Sequence, residues 1–259
     1  MITLIKVSLT AMLGLCLCLQ SKAQDTTARR KDSSNLRQKY LPFNVNLQVR
    51  SLYLWRGFKV SNAPITDVDL HYATRDGSLA IGVWGGAGFT GEYREFDYYI
   101  SYAKSGFNLS VWDINNFTSF PNVSLFNYNP KSTSHFIDAT VGYKFGSRRP
   151  LTISWNTIVQ GRDTYVKPNG SIANAYSNYV VLDYTLWKEG TAELHIFAGG
   201  AFAFGRQQNF YAAKPNIVNS GLTFNKDLVV FNYHMPAAAT AMFSPEHKYG
   251  ALQLVVNVF

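Results

Sequence analysis

A closed antiparallel β-barrel of about twelve strands, built to span a membrane, is the fold class this sequence predicts, and three observations predict it. From Phe43 onward apolar and polar residues alternate with period two, and no stretch keeps a helical period over three turns. Short polar turns and longer connections alternate along the chain, as in barrels with one tight rim and one looped rim. Aromatic residues make up 15% of the chain, with sixteen Tyr and eighteen Phe, and charged residues also only 15%. That balance suits a barrel ringed by aromatic girdles.

The N-terminus sets the compartment. Lys6 is the only charge before Lys22, and Val7 to Leu19 is apolar apart from Ser8, Thr10 and Gly14. Ser21-Lys22-Ala23 then offers small residues at the two positions a signal peptidase reads. This is a secretory signal for the Sec pathway, with cleavage expected near Ala23. The apolar run is shorter than the roughly 20 residues a spanning helix needs. Lipidation at Cys16 or Cys18 is a weaker alternative, because Leu precedes both. Both cysteines of the chain lie in this signal, so the mature protein is expected to have no disulfide, thiol chemistry or Cys-based metal site. Loss of Lys6 and Lys22 with residues 1–23 lowers the net charge from +8 to +6. The remaining charges are scattered singly, save for Arg29-Arg30-Lys31 and Arg148-Arg149, so no nucleic-acid partner is expected.

Residues 24–42 are polar and aperiodic and read as a flexible periplasmic segment. Residues 43–259 read as the barrel. The first strand puts Phe43, Val45, Leu47 and Val49 on one face and Asn44, Asn46, Gln48 and Arg50 on the other. The same two-faced writing places strands near 43–56, 65–74, 78–89, 94–104, 106–115, 134–146, 150–160, 176–188, 191–204, 215–225, 228–236 and 249–259. Ten or fourteen strands stay open, because 205–248 can be divided in more than one way.

Tight turns are expected at Arg75-Asp76-Gly77, Lys104-Ser105-Gly106, Gly146 to Pro150, Lys188-Glu189-Gly190 and Asn225-Lys226-Asp227. Longer connections are expected at Gly57–Pro64, Thr90–Tyr93, Asn116–Thr133, Gly161–Ala175, Gly205–Lys214 and Ala237–Lys248. A β-sandwich would need long crossovers and no such alternation. Lipid offers no partner to a free backbone group, so a membrane-spanning sheet must close on itself. Phe259 suits the C-terminal signal read by barrel-assembly machinery, although the apolar row Leu252, Leu254, Val256 and Val258 is out of phase with it.

The stretch from Ser51 to Trp112 carries Ser51, Tyr53, Arg56-Gly57, Ser61 and Pro64, then Gly82 and Trp84-Gly85 one hairpin later. In this it resembles the start of porins of the TorF family. The resemblance covers about a quarter of the chain. It implies a channel in the outer membrane of a Gram-negative bacterium, of undetermined substrate and with no catalytic residues to carry over. From the residues themselves, Gly57 permits a sharp turn at a strand's extracellular end. Arg56 then points to the lumen, either as half of a rim salt bridge or with a direct part in choosing solutes.

Alternation gives the candidate pore-lining set: Arg50, Arg56, Asp67, Asp69, His71, Glu95, Asp97, Asp138, Asp183, Glu193 and His195, with Lys144 and His234. Carboxylates outnumber Arg and Lys in it seven to three, and charged rings in a pore decide which ions pass. The expected function is therefore passive passage of small polar or ionic solutes with a lean toward cations, without a cofactor. The alternative is that these groups pair with one another and fill a narrow barrel. Asp67, Asp69 and His71 alternate on one strand, which suits a cation but equally any lumen-facing strand, so no metal site is expected. A barrel enzyme acting on lipid would need a nucleophile beside a base. Ser134 and His135 point to opposite faces, His234 has no matched Ser, and no Gly-x-Ser-x-Gly elbow occurs. A structural or adhesive surface barrel would rest on the loop with Phe117, Phe120, Phe126 and Tyr128, which can also fold inward. Outer-membrane lipids and lipopolysaccharide are the expected surroundings.

Overall fold

The computed structural model describes residues 40–120, 124–146 and 150–259. The expected signal peptide, residues 24–39 of the periplasmic segment and both basic clusters lie outside the described residues. Within them, twelve strands close into one antiparallel barrel. The wall begins with β1 (Phe43–Arg50). A small hairpin follows, of β2 (Tyr53–Trp55) and β3 (Phe58–Ser61). The wall resumes with β4 (Ile65–Ala73), β5 (Leu79–Gly88), β6 (Arg94–Lys104), β7 (Phe107–Asn115), β8 (His135–Lys144) and β9 (Leu151–Gly161). A second small hairpin, β10 (Thr164–Val166) and β11 (Ile172–Asn174), precedes β12 (Ser177–Glu189). Then come β13 (Ala192–Ala203), β14 (Asn216–Val230), β15 (Tyr233–Ser244) and β16 (Tyr249–Asn257).

Closure rests on β16 returning to β1 through Gln48↔Asn257, Val49↔Val256 and Arg50↔Val255. The Leu47 N–H donates to the Phe259 carbonyl (2.8 Å) and the Val258 N–H to the Leu47 carbonyl (2.7 Å), which extends this short seam. One rim carries tight turns at 74–78, 105–106, 190–191 and 231–232, and β8 also leads toward β9 there. The other, the loop rim, carries 51–64, 89–93, 116–120 and 124–134, 162–176, 204–215 and 245–248. At the turn rim Asp76 accepts from the Thr74 and Ser78 hydroxyls (both 2.8 Å) and from the Ser78 N–H (3.2 Å). Hydrogen bonds from Ser78 and Thr74 hold its carboxyl below the usual carboxylate range.

The wall is inside-out relative to a soluble protein. Val68, Leu70, Ile100, Val111, Val141, Leu182, Leu222 and Leu254 face outward and are exposed, while Ser110, Asn156, Asn219, Thr240 and Gln253 face inward and are buried. Aromatic pairs sit near the strand ends on the outer face. Examples are Phe107 with Tyr143, Phe43 with Tyr72 and Phe202 with Phe204.

Three expected boundaries move. The strand expected over 43–56 stops at Arg50, because the Ser51 hydroxyl accepts from the Leu254 N–H (2.9 Å) and the chain then leaves the wall. Asn225-Lys226-Asp227 is not a turn. Strand β14 runs through it to Val230 and reverses at Phe231 and Asn232, both left-handed with φ of 48° and 64°. Left-handed φ at both central residues is the geometry of a two-residue hairpin. Finally, most of 237–248 is strand β15, and the connection is only 245–248. Its Ala237-Ala238-Ala239 run offers no contrast between faces, so period two is invisible there.

The belt predicts different tolerance on the two faces. Val68→Arg, set in the outer belt, is expected to cost about 2–4 kcal/mol on folding into lipid vesicles. Asn46→Arg, inward and level with Asp69, is expected to fold normally. Heat-modifiable gel mobility after refolding reads both, and equal behaviour would count against this assignment of faces.

Candidate functional site

The interior of the barrel gathers the charged residues, and the loops decide how much of it is open. The β2–β3 hairpin turns at Arg56 and Gly57, with φ of 44° and 90°, again a two-residue reversal with both central residues left-handed. It folds into the barrel. A side chain at Gly57 would put its Cβ 2.5 Å from the Val218 carbonyl oxygen of β14, so only glycine fits at this tip. The Tyr249 hydroxyl donates to the Gly57 carbonyl (2.8 Å).

Arg56 is 2% exposed. Its guanidinium donates to both oxygens of Asp138 on β8 (2.5 and 3.0 Å), to the Asn156 Oδ1 on β9 (2.7 Å) and to the Tyr211 hydroxyl (2.8 Å). The Trp55 ring lies 4.7 Å and the Tyr179 ring 5.3 Å from it. Trp55, Phe58, Phe210 and Tyr211 pack on Phe136, Ile158, Tyr179 and Val218 of the wall. Two loop-rim segments, 51–64 and 204–215, thus fill the lumen beneath the loop rim. Glu246 in the last connection ties the second down, accepting from Ala213 N–H (3.0 Å) and from the Asn216 amide (2.9 Å). Those bonds, the Asn216 one foremost, lower its carboxyl pKa.

A second buried pair lies on the β1–β4 seam, near the loop-rim end of both strands. Arg50 donates from Nε to Asp67 Oδ2 (2.5 Å) and from Nη2 to Oδ1 (3.0 Å), and Trp84 Nε1 donates to the same carboxylate (3.1 Å). Asp69 accepts from the Tyr99 hydroxyl (2.8 Å) and pairs with His71. The Tyr99 ring lies where a Cβ on Gly82 would meet it at 2.7 Å. Glu95 accepts from Asn116 (2.6 Å) and Asp97 from the Asn115 N–H (3.0 Å). His195 contacts Asp183 (2.9 Å) through Nδ1 and Glu193 (3.2 Å) through Nε2.

Asp67 sits level with Glu95, and Asp69 level with Asp97, across the intervening β5. One misplacement concerns Arg56, expected at a strand's rim and found at the tip of an inward hairpin. Lys144 and His234 sit toward the turn rim, where His234 pairs with Asp227 (2.6 Å). Sequence reasoning did not single out Trp84, Tyr99, Asn156, Tyr179 or Tyr211 as partners. The first four share the inward phase of their strands, so alternation marked their face but not their bonding.

Residues 124–134 reach the outer side of the rim. Tyr128 donates to Asp113 (2.6 Å) and packs on His135, whose Nδ1 meets Asp113 (2.8 Å) and whose Nε2 faces the Ser124 carbonyl (3.4 Å). The bond to Asp113 pushes the Tyr128 hydroxyl up to about 12. With both ring nitrogens engaged, His135 has none facing a serine hydroxyl. Among the described residues no three His, Cys, Asp or Glu side chains gather as metal ligands would.

No protein-family model and no curated protein sequence matches the chain. Among solved structures it is similar in fold to the NanC porin (6% identity, TM-score 0.46, covering 83% of this chain and 98% of that one). It is also similar to the translocator domain of the autotransporter NalP from Neisseria meningitidis (11%, 0.41, 86% and 89%). A third is a BenF-like porin from Pseudomonas fluorescens (11%, 0.33, 85% and 64%). At such identities and scores the functions of those proteins do not transfer.

Removing one partner of a buried pair leaves the other charge uncompensated, at a cost of about 3–5 kcal/mol. Arg56→Ala is expected to destabilise the barrel by that amount in equilibrium denaturant unfolding. Arg56→Leu with Asp138→Leu should recover part of the loss. A loss for Arg56→Ala below about 1 kcal/mol, the value of a solvated pair, would mean that the hairpin does not dock there.

Proposed function

We propose that the protein is an outer-membrane channel, a porin whose lumen is constricted by its own loops. The observation that carries this reading is the inverted polarity of the closed wall, apolar and exposed outside, polar and ion-paired within. Lipid demands the first, because an exposed apolar belt of this height would be costly in water. A lumen for polar solutes accounts for the second. On this reading the chain is exported by the Sec route and inserted by barrel-assembly machinery. Its loop rim faces outward, and its surroundings are outer-membrane lipid and lipopolysaccharide.

Within outer-membrane barrels we read it as similar to the TorF porins, because the residues of that resemblance act together. Tyr53 contacts Trp84 (6.0 Å between ring centroids), Arg56-Gly57 forms the tip, and Gly82 makes room for Tyr99. The solutes are small and polar or ionic, and they pass when the β2–β3 hairpin shifts or by way of gaps beside it. In the half toward the turn rim Asp69, Asp183 and Glu193 remain 20–30% exposed, whereas Asp67 and Asp138 are neutralised by arginines. The cation lean therefore rests on the three exposed carboxylates. A lipid-hydrolysing barrel has less support, since the rim histidine His135 is occupied by Asp113 and a backbone carbonyl.

Planar-bilayer recording tests this reading. Wild-type protein is expected to show small-conductance events, and replacing 52–62 with a short Gly-Ser turn should enlarge them several-fold. Asp69→Asn with Asp183→Asn should move the reversal potential in a salt gradient toward anions, while Lys104→Gln leaves it unchanged, because exposed charge is screened within about 8–10 Å at physiological salt. No current from either the wild type or the shortened variant would overturn the channel assignment. Phospholipid hydrolysis would replace it with an enzyme.

A further inference from the structure

The loop rim holds a polar pocket that the lumen's ion pairs do not use. It has a volume of ≈390 Å³ and lies between the β10–β11 hairpin and the 204–215 loop, lined by Arg162, Asp163, Thr164, Tyr165, Arg206 and Asn209 among others. This falls in the range of small-molecule sites, about 300–1,000 Å³. Both arginines are half-buried. Arg206 stacks on the Tyr165 ring at 3.4 Å, and Arg162 lies over Phe136 and Phe210 at 5.0 and 5.6 Å.

Among the described residues neither arginine has a carboxylate within ion-pair distance, and the Nε of each is buried with no hydrogen-bond partner. Asp163 lines the same pocket, but its oxygens accept from the Ser177 N–H (2.8 Å) and hydroxyl (2.9 Å). Its charge reaches Arg206, and those of Glu95 and Asp97 reach Arg162, through space without a bonded contact. Among the described residues the buried arginines Arg50 and Arg56 are each clamped by a bidentate carboxylate instead.

We propose that this pocket binds a small solute through a carboxylate or phosphate group held between Arg162 and Arg206. A guanidinium stacked on an aromatic ring keeps its planar fork free, and that fork matches either oxyanion in two parallel bonds. Thr164 adds a neutral hydroxyl of the kind that reads hydroxyls on the rest of the solute, while the Asn209 amide, accepting from the Tyr211 and Ala212 N–H groups (both 2.9 Å), holds the shape of the 204–215 loop. The site stands at the outer mouth on the channel reading and is opposite in sign to the carboxylates near the turn rim. It does not depend on whether the lumen conducts.

Calorimetric titration of the full mature chain, refolded in detergent, tests the site with three probes: sodium glucuronate, inorganic phosphate and glucose. Binding of glucuronate or phosphate, with glucose inert, is the expected result. The tighter of the two anions tells a carboxylate source from a phosphate source. Arg206→Gln should weaken that binding about tenfold or more, the scale of a charge-assisted hydrogen bond, and Arg162→Gln likewise, while Lys104→Gln at the turn rim leaves it unchanged. Heat-modifiable mobility checks that each variant has closed its barrel. If Arg162→Gln fails to fold, Arg206→Gln at the pocket's edge carries the test alone. Failure of both anions to bind, glucose binding as well as they do, or Arg206→Gln retaining wild-type affinity would overturn the proposal.

Discussion

Every strand of this wall finds its backbone partners in two neighbours, and the constraint reaches the ends of the described sheet, where β16 must meet β1. The seam is short in ladder pairs, three of them, and is extended by bonds from Leu47 to Val258 and Phe259. An unpaired edge in lipid would leave several donors and acceptors without partners, each costing several kcal/mol. Closure then dictates the rest. Once the sheet closes, each strand has one face toward the surroundings and one toward a narrow interior. Period two therefore sorts apolar residues outward and polar residues inward around the whole circumference.

The interior that closure creates is polar, and buried polar groups must be satisfied. Two networks satisfy part of them. On the β1–β4 seam, Arg50, Asp67, Gln48 and Trp84 form a network within the wall. Elsewhere in the wall, Asp138 and Asn156 are satisfied by Arg56 from the inserted hairpin. Buried ion pairs are weak contributors to net stability, because desolvation offsets much of their attraction. Their effect is geometric. A bidentate pair that also bonds Asn156 and Tyr211 allows the hairpin one seat, and Gly57 against Val218 fixes its depth. The aromatic residues around it exclude water and strengthen the pair.

The contrast between these clamped arginines and those at the loop rim bears on function. Arg162 and Arg206 rest on aromatic rings, so the surroundings hold their stems while their donors stay unspent. Arginine is suited to this division because its charge is delocalised and weakly hydrated. The interior thus separates into a filled upper part held by internal pairs, a lower part with half-exposed carboxylates, and a loop rim where, among the described residues, Arg162 and Arg206 have no bonded carboxylate.

The sequence by itself determined the class of the fold and the near positions of most wall strands. These are set by a local rule, since neighbouring residues on a strand point oppositely whatever the rest of the chain does. Where the local contrast vanished, as in Ala237-Ala238-Ala239, the rule had nothing to read, and of strand β15 only the start, inside the strand expected over 228–236, was anticipated. Polar Asn225-Lys226-Asp227 looked like a turn although it continues a strand, because polar residues near a strand's end and turn residues share a composition. Only the tertiary structure decided that the segment after Arg50 leaves the wall and that Arg56 meets Asp138. It alone also decided that Tyr211 closes over the pair and that Arg162 and Arg206 share a pocket. Those pairings join residues far apart in the chain, between loops whose path follows from which cavity closure leaves to be filled. Alternation carries the direction of a side chain and no information about what stands opposite it across the barrel.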